Sequence, residues 1–184
     1  MPLQKGYASA LSPEYALLGF LARQPAHGYE LHQRLIAHLG QVWHVSLSQT
    51  YNILNRLEAH GFILGAVEKQ AKLPARRRFQ LTAAGRRRFE AWLQAPTGNS
   101  VRAIRVEFTT RLYFARAIEP DLARTLIDAQ VAETRTGLAR LQEMLGEIPE
   151  EQTFNRLGLE LRIRQLTSIL DWLAACRKAL GLNK

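Results

Sequence analysis

The stretch SLSQTYNILNRLEAHGFILGAVEK, residues 46–69, holds two periodicities, and the change from one to the other decides the fold. Its first part is helical. Ser46 followed three residues later by Gln49 is a capping-box pattern, and Gly61 is the glycine expected just past a helix end. On a helical wheel Leu47, Thr50, Leu54, Leu57 and Glu58 gather on one side, while Ser48, Gln49, Asn52, Asn55, Arg56 and Ala59 gather on the other. Beyond Gly61 the pattern shifts to period two through FILGAVEK, the mark of a strand. The helical part also closes the longest uncharged window of the chain, since nothing between Arg34 and Arg56 carries a charge.

Working outward, two short amphipathic helices precede this one. Ser12 before Pro13 reads as an N-cap with proline at the first helical position, leading into EYALLGFLAR with Tyr15, Leu18, Leu21 and Ala22 on one face. YELHQRLIAHLG places Leu31, Leu35 and Leu39 at i, i+4 and i+8 before Gly40. Downstream, AKLPA is a basic turn and RRRFQLT a second strand. Three short helices followed by a hairpin make a winged helix-turn-helix. Thr82 opens a fourth helix with Phe89, Trp92 and Leu93 at core spacing, and APTGNS at 95–100 reads as a domain boundary.

The expected domains are therefore 1–95, a winged helix-turn-helix, and 96–184, which is patterned as helix throughout. The fold class is mainly α with a small β-hairpin. In the second domain Val101, Ile104, Phe108 and Leu112 mark one helix, and Pro120 starts a longer one carrying Val131, Leu138, Leu141, Leu145 and Ile148 up to Pro149. The last helix carries Leu159, Ile163, Leu166, Leu170, Leu173 and Leu180 at alternating three-and-four spacing. Three helices cannot easily bury stripes this wide alone, which points to a second copy. Val131, Leu138, Leu141, Leu145 and the six positions of the last helix are the expected dimerisation residues.

A formal net charge of +9 is unevenly placed. Residues 1–95 hold twelve Lys or Arg against five Asp or Glu, whereas residues 96–184 hold thirteen against eleven. A basic half of this kind is the electrostatic footprint of a nucleic-acid or anionic-surface binder, because each cation near a phosphate releases condensed counterions. The uncharged helix then acquires a meaning: asparagine and glutamine read adenine edges bidentately in the major groove, while arginine and lysine outside it grip phosphates or enter the minor groove. The expected DNA contacts are Ser48, Gln49, Asn52 and Asn55 on the helix, with Tyr51 at its edge, and Arg56, Lys72, Arg76, Arg77 and Arg78 as backbone-gripping groups. Arg86, Arg87 and Arg88 occupy consecutive helical positions, so at most one or two of them face one surface.

HGYEL at 27–31, SQTYNILNRLEAHGFI at 48–63 and PARRRFQLTAAG at 74–85, with Trp92 after them, resemble the N-terminal domain of the PadR family of bacterial transcriptional regulators. That family runs HGYEL, then Y-x-x-L-x-R-L-E-x-x-G-L-I, then P-R-x-x-Y-x-L-T-x-x-G, and the likeness covers residues 11–95 in order. RVEFTTRLYFARAIEPD at 105–121 is similar to the helical virulence-activator-type domain of the longer PadR subfamily. Phe79 stands where the family has Tyr, Ser48 where it often has Gly, and the wing turn is Lys-Leu-Pro-Ala-Arg. The resemblance implies a homodimeric regulator of double-stranded DNA, usually a repressor, responsive in some members to a small-molecule effector.

Other classes find little in the sequence. The five histidines all precede residue 61 without a paired spacing or a carboxylate at ligand distance, so no metal and no cofactor are expected. A nucleophile elbow, a phosphate-binding glycine loop and a Cys/His nucleophile are absent, and the chain reads as no enzyme. Cys176 is the single cysteine, which suits a reducing compartment, and neither a leader nor a membrane span is found, so the cytoplasm is expected. The competing readings are a winged-helix protein-interaction module and an architectural nucleic-acid-binding protein without sequence preference.

Overall fold

The computed structural model describes residues 12–68 and 76–182, and it divides into two compact units, Met1–Ala95 and Pro96–Lys184. Lys72 lies outside the described residues.

The first unit is built around its first helix, α1 (Glu14–Arg23), in which every residue from Glu14 to Leu21 is buried. A helix apolar nearly all round can only be central. Gln24-Pro25 ends it, and Ala26–His27 forms a short strand, β1, before α2 (Gly28–Leu39). The carboxylate of Glu30 accepts the His27 backbone N–H at 3.2 Å, capping α2 from within. Leu31, Leu35 and Leu39 are buried, as their spacing predicts.

Helix α3 (Leu47–Ala59) begins with the expected reciprocal cap: the Ser46 hydroxyl accepts from the Gln49 backbone at 3.2 Å, and the Gln49 side-chain carbonyl accepts from the Ser46 backbone at 2.8 Å. Gly61, at φ +72°, supplies the left-handed turn that ends it. Thr50, Ile53, Leu54 and Leu57 face the core. Leu47 does not, being 37% exposed in the first turn, and Glu58 is only half-buried.

Strands β2 (Ile63–Glu68) and β3 (Arg76–Leu81) pair antiparallel from Ile63 opposite Leu81 to Glu68 opposite Arg76. The expected two-stranded hairpin is in fact a three-stranded sheet in the order β1-β3-β2, because Ala26 and His27 pair with Phe79 and Arg78. Two residues are too few to show a period, so β1 leaves no signature in the sequence. Thr82 then caps α4 (Ala83–Gln94) by accepting from Gly85 N at 3.1 Å. Tyr15 and Trp92 stack with ring centroids 4.6 Å apart, joining α1 to α4 beside Phe89.

The second unit is helical. Residues 101–118 form the expected helix, but Ala103–Phe108 are π-helical before α5 (Thr109–Ile118). The wider turn carries five of those six residues inward, Glu107 among them, and leaves Val101 exposed. Glu107 pairs with Arg111 at 2.5 Å, and Arg111 also donates to the Thr97 hydroxyl at 2.7 Å, all three buried. Burial pushes the Glu107 carboxyl above its ordinary range, against the opposing pull of Arg111.

Helices α6 (Pro120–Glu147) and α7 (Thr153–Ala179) fold back on each other as an antiparallel hairpin, with Asp128 paired to Arg177 near one end and Arg156 donating to the Leu145 and Ile148 carbonyls near the other. Leu141, Leu159, Leu166 and Leu173 are buried in the unit, whereas Val131, Leu138, Leu145, Ile163, Leu170 and Leu180 are only partly covered. Phe154, Leu157 and Leu161 stand on the outside of α7. No helix among the described residues is long and apolar enough to cross a membrane.

Candidate nucleic-acid interface

Helices α2 and α3 are the helix-turn-helix, and a buried polar contact fixes the second on the first. The Thr50 hydroxyl donates to the Ser46 carbonyl at 3.0 Å, so it must accept from His32 Nδ1, 3.0 Å away on α2. Gly28 allows a further close approach, since a Cβ there would lie 2.6 Å from the Tyr51 ring. Tyr51 thus rests on the first residue of α2 while staying 40% exposed.

With its core side held, α3 presents Ser48, Gln49, Asn52, Asn55 and Arg56 outward, and all five are exposed. These residues share one open face, as the wheel predicts. Their freedom differs. Ser48, Asn52 and Asn55 make no side-chain hydrogen bond to a described residue, whereas Gln49 has its carbonyl oxygen engaged once, in the helix cap. Arg56 is also engaged, with Nη2 3.3 Å from the Glu14 carboxylate.

The wing is fastened to α3 through Glu58. Its carboxylate accepts from Gly65 N at 3.0 Å and from Arg77 Nη2 at 2.6 and 2.8 Å, and the Arg77 guanidinium lies over the Phe79 ring. Arg78 pairs with Glu68 at 3.2 Å, and His27 bridges the Arg77 carbonyl and Glu68 at 3.1 and 3.5 Å. Arg76, Arg77 and Arg78 are all exposed, but only Arg76 has no ion pair with a described residue. In α4, Arg86 and Arg87 point outward, while Arg88 lies inside against Tyr15, Phe62 and Glu14.

The open face and the arginines are legible in the sequence, but the acids that hold Arg56, Arg77, Arg78 and Arg88, namely Glu14, Glu58 and Glu68, are not. Glu14 leaves one signal, a charge opening an otherwise apolar helix. Glu58 and Glu68 leave none, because their partners come from another element or across a strand pair. Among the described residues no group of three His, Cys, Asp or Glu side chains is placed to hold a metal.

A three-helix core with its second helix-turn-helix member exposed and a basic hairpin beside it defines a winged-helix DNA-binding protein. Residues 17–91 match the transcriptional regulator PadR-like family, and residues 104–181 match the virulence activator alpha C-terminal domain. The chain belongs to the PadR-like transcriptional regulators, in the form that carries a virulence-activator-type C-terminal domain, and that family is one of regulators, not enzymes. It is 28% identical over 131 residues to the negative transcriptional regulator PadR of Bacillus subtilis (strain 168), covering 70% of each chain. Among solved structures it is similar to Bacillus subtilis PadR in complex with operator DNA (23% identity, 92% of this chain and 96% of that one, TM-score 0.44). It is likewise similar to Bacillus subtilis PadR in complex with p-coumaric acid (24% identity, 96% and 99%, TM-score 0.41).

Proposed function

We propose that this regulator is a homodimeric repressor of the bacterial cytoplasm that reads a pseudo-palindromic duplex operator with one α3 per half-site. The observation that carries the reading is the row Ser48, Asn52 and Asn55, exposed and without a side-chain hydrogen bond to a described residue, on the second helix of the helix-turn-helix. Asparagine can meet adenine N6 and N7 together, a pairing that discriminates against the wrong base by about 1–3 kcal/mol. Arg56, Arg76, Arg77 and Arg78, with Lys72 and Tyr51, supply phosphate and minor-groove contacts that need no base identity. Gln49, whose carbonyl oxygen already accepts from the Ser46 backbone, contributes chiefly through its N–H donors.

Homodimerisation through the second unit is supported by its uncovered apolar positions. The predicted seam divides: Leu141, Leu159, Leu166 and Leu173 are spent within one protomer, while Val131, Leu138, Leu145, Ile163, Leu170 and Leu180 keep area for a second copy. Phe154, Leu157 and Leu161 form a second apolar face on α7, turned away from Ile163 and Leu170, with Phe154 88% exposed. Two copies related by a two-fold would set their recognition helices roughly 34 Å apart, one duplex turn.

Release by a small effector is the remaining part of the proposal. It finds support in a cavity of about 600 Å³ lined by Val101, Leu141, Met144, Leu166, Arg140 and Arg162. The relative whose solved structures hold operator DNA and p-coumaric acid is itself a negative regulator by name.

Fluorescence anisotropy on a duplex selected from random DNA and on its scrambled form tests the reading. Asn55→Ala is expected to weaken the selected duplex by about tenfold and the scrambled one hardly at all, whereas Arg76→Ala weakens both. Equal losses from the two substitutions overturn the division of roles, and a salt slope without sequence preference favours an architectural protein. Absence of salt-dependent duplex binding favours a protein-interaction module.

A further inference from the structure

Glu14 is a carboxylate in the core of a DNA-binding unit, 3% exposed, and each of its oxygens holds a different arginine. Arg88 Nη2 reaches Oε1 at 2.6 Å from within, and its guanidinium is sandwiched against Tyr15 and Phe62 at 5.2 and 4.7 Å from their ring centres. Arg56 Nη2 reaches Oε2 at 3.3 Å from the opposite side, with its side chain still 49% exposed on the reading face of α3. One negative charge thus anchors two positive ones, and the surplus charge stands on the outward nitrogens of Arg56.

A guanidinium carries five donors in a fixed fork, so one edge can be held while the other serves a ligand. An arginine already fixed in one rotamer loses less conformational freedom on meeting a phosphate than a free one. The carboxylate responsible is in turn fixed by Arg88 and by its place in the first turn of the most buried helix of the unit. We infer that Glu14 is a positioning residue for DNA binding: it aims Arg56 at a backbone phosphate beside the bases read by Asn52 and Asn55. The inference rests on the proposal that Arg56 grips a phosphate.

Simple electrostatics predicts the opposite sign for its removal, and that makes the test sharp. Neutralising an acid in a basic DNA-binding unit should tighten binding to any duplex. If Glu14 positions Arg56, Glu14→Gln instead weakens binding to a duplex selected from random DNA by about fivefold and lowers the salt slope by about one, toward the values of Arg56→Ala. Adding Glu14→Gln to Arg56→Ala should then change neither quantity. Arg56→Lys keeps the charge at the surface but has no fork to serve two acceptors, so it should bind like Arg56→Ala. Arg88→Met removes one of the two groups that fix Glu14, so it should lower the melting temperature and weaken operator binding by no more than Glu14→Gln does.

Additive effects in the double variant, tighter binding by Glu14→Gln, or full affinity in Arg56→Lys each overturn the positioning role. The last remains decisive if Glu14→Gln fails to fold. Should Arg56→Ala itself leave affinity and slope unchanged, the phosphate contact fails first, an outcome distinct from a real Arg56 contact that does not depend on Glu14.

Discussion

Gly65 shows how little freedom single positions have where the wing and α3 meet. A Cβ there would fall 2.8 Å from Glu58 Oε1, 2.9 Å from Arg77 Nη2 and 3.0 Å from the Phe79 ring. All three belong to one cluster in which Glu58 joins the wing to α3, so none can give way without loosening the others. Gly65→Ala is expected to cost about 1–3 kcal/mol by overpacking, read as a lower urea midpoint. Glu58→Gln should increase protease cleavage in the wing, because the neutral amide loses the charge-assisted pair with Arg77. An unchanged cleavage rate would mean that Glu58 does not hold the wing.

At the scale of the element, the π-helical segment Ala103–Phe108 brings a charged pair into the second unit. Arg111→Met strands a buried carboxylate and is expected to cost about 3–5 kcal/mol, more than Glu107→Gln, which leaves a neutral amide that can still accept from Arg111. The sign of the pH effect follows from burial. The folded state raises the Glu107 carboxyl above its ordinary 4.5, so it binds that proton more tightly than the unfolded chain does. The contribution is therefore fully present below the ordinary value and is lost as pH rises through the raised one. Wild type minus Glu107→Gln, compared by thermal unfolding from about pH 4 upward, should decline as pH rises through the carboxylate range. A flat difference would show that Arg111 offsets the burial completely.

For the molecule as a whole, the proposed homodimer needs its two α3 helices at a fixed separation, and the uncovered side of α7 is where a second copy is expected to bind. If the proposed dimer forms through this side, Leu161→Lys should convert it to monomer in sedimentation equilibrium and weaken operator binding by at least about a hundredfold, since each half-site would then be held alone. Its melting temperature extrapolated to low protein concentration should match that of dissociated wild type. A variant that remains dimeric moves the interface away from Phe154, Leu157 and Leu161.

Local chemistry was sufficient for much of this. The capping box at Ser46 and Gln49, the left-handed Gly61, the 3-4 spacing of apolar residues and the shift to period two are all short-range signals, and they brought out the winged helix and the open face of α3. Only the tertiary structure decided which of those residues are free to act. Ion pairs between elements far apart in sequence, Glu14 with Arg56 and Arg88 or Glu58 with Arg77, depend on how helices cross and carry no period to be read. The same holds for β1, which exists because β3 offers an edge, and for α7, whose apolar side divides between α6 and the outside. The sequence determined what each helix could present, and packing determined which side chains were already taken.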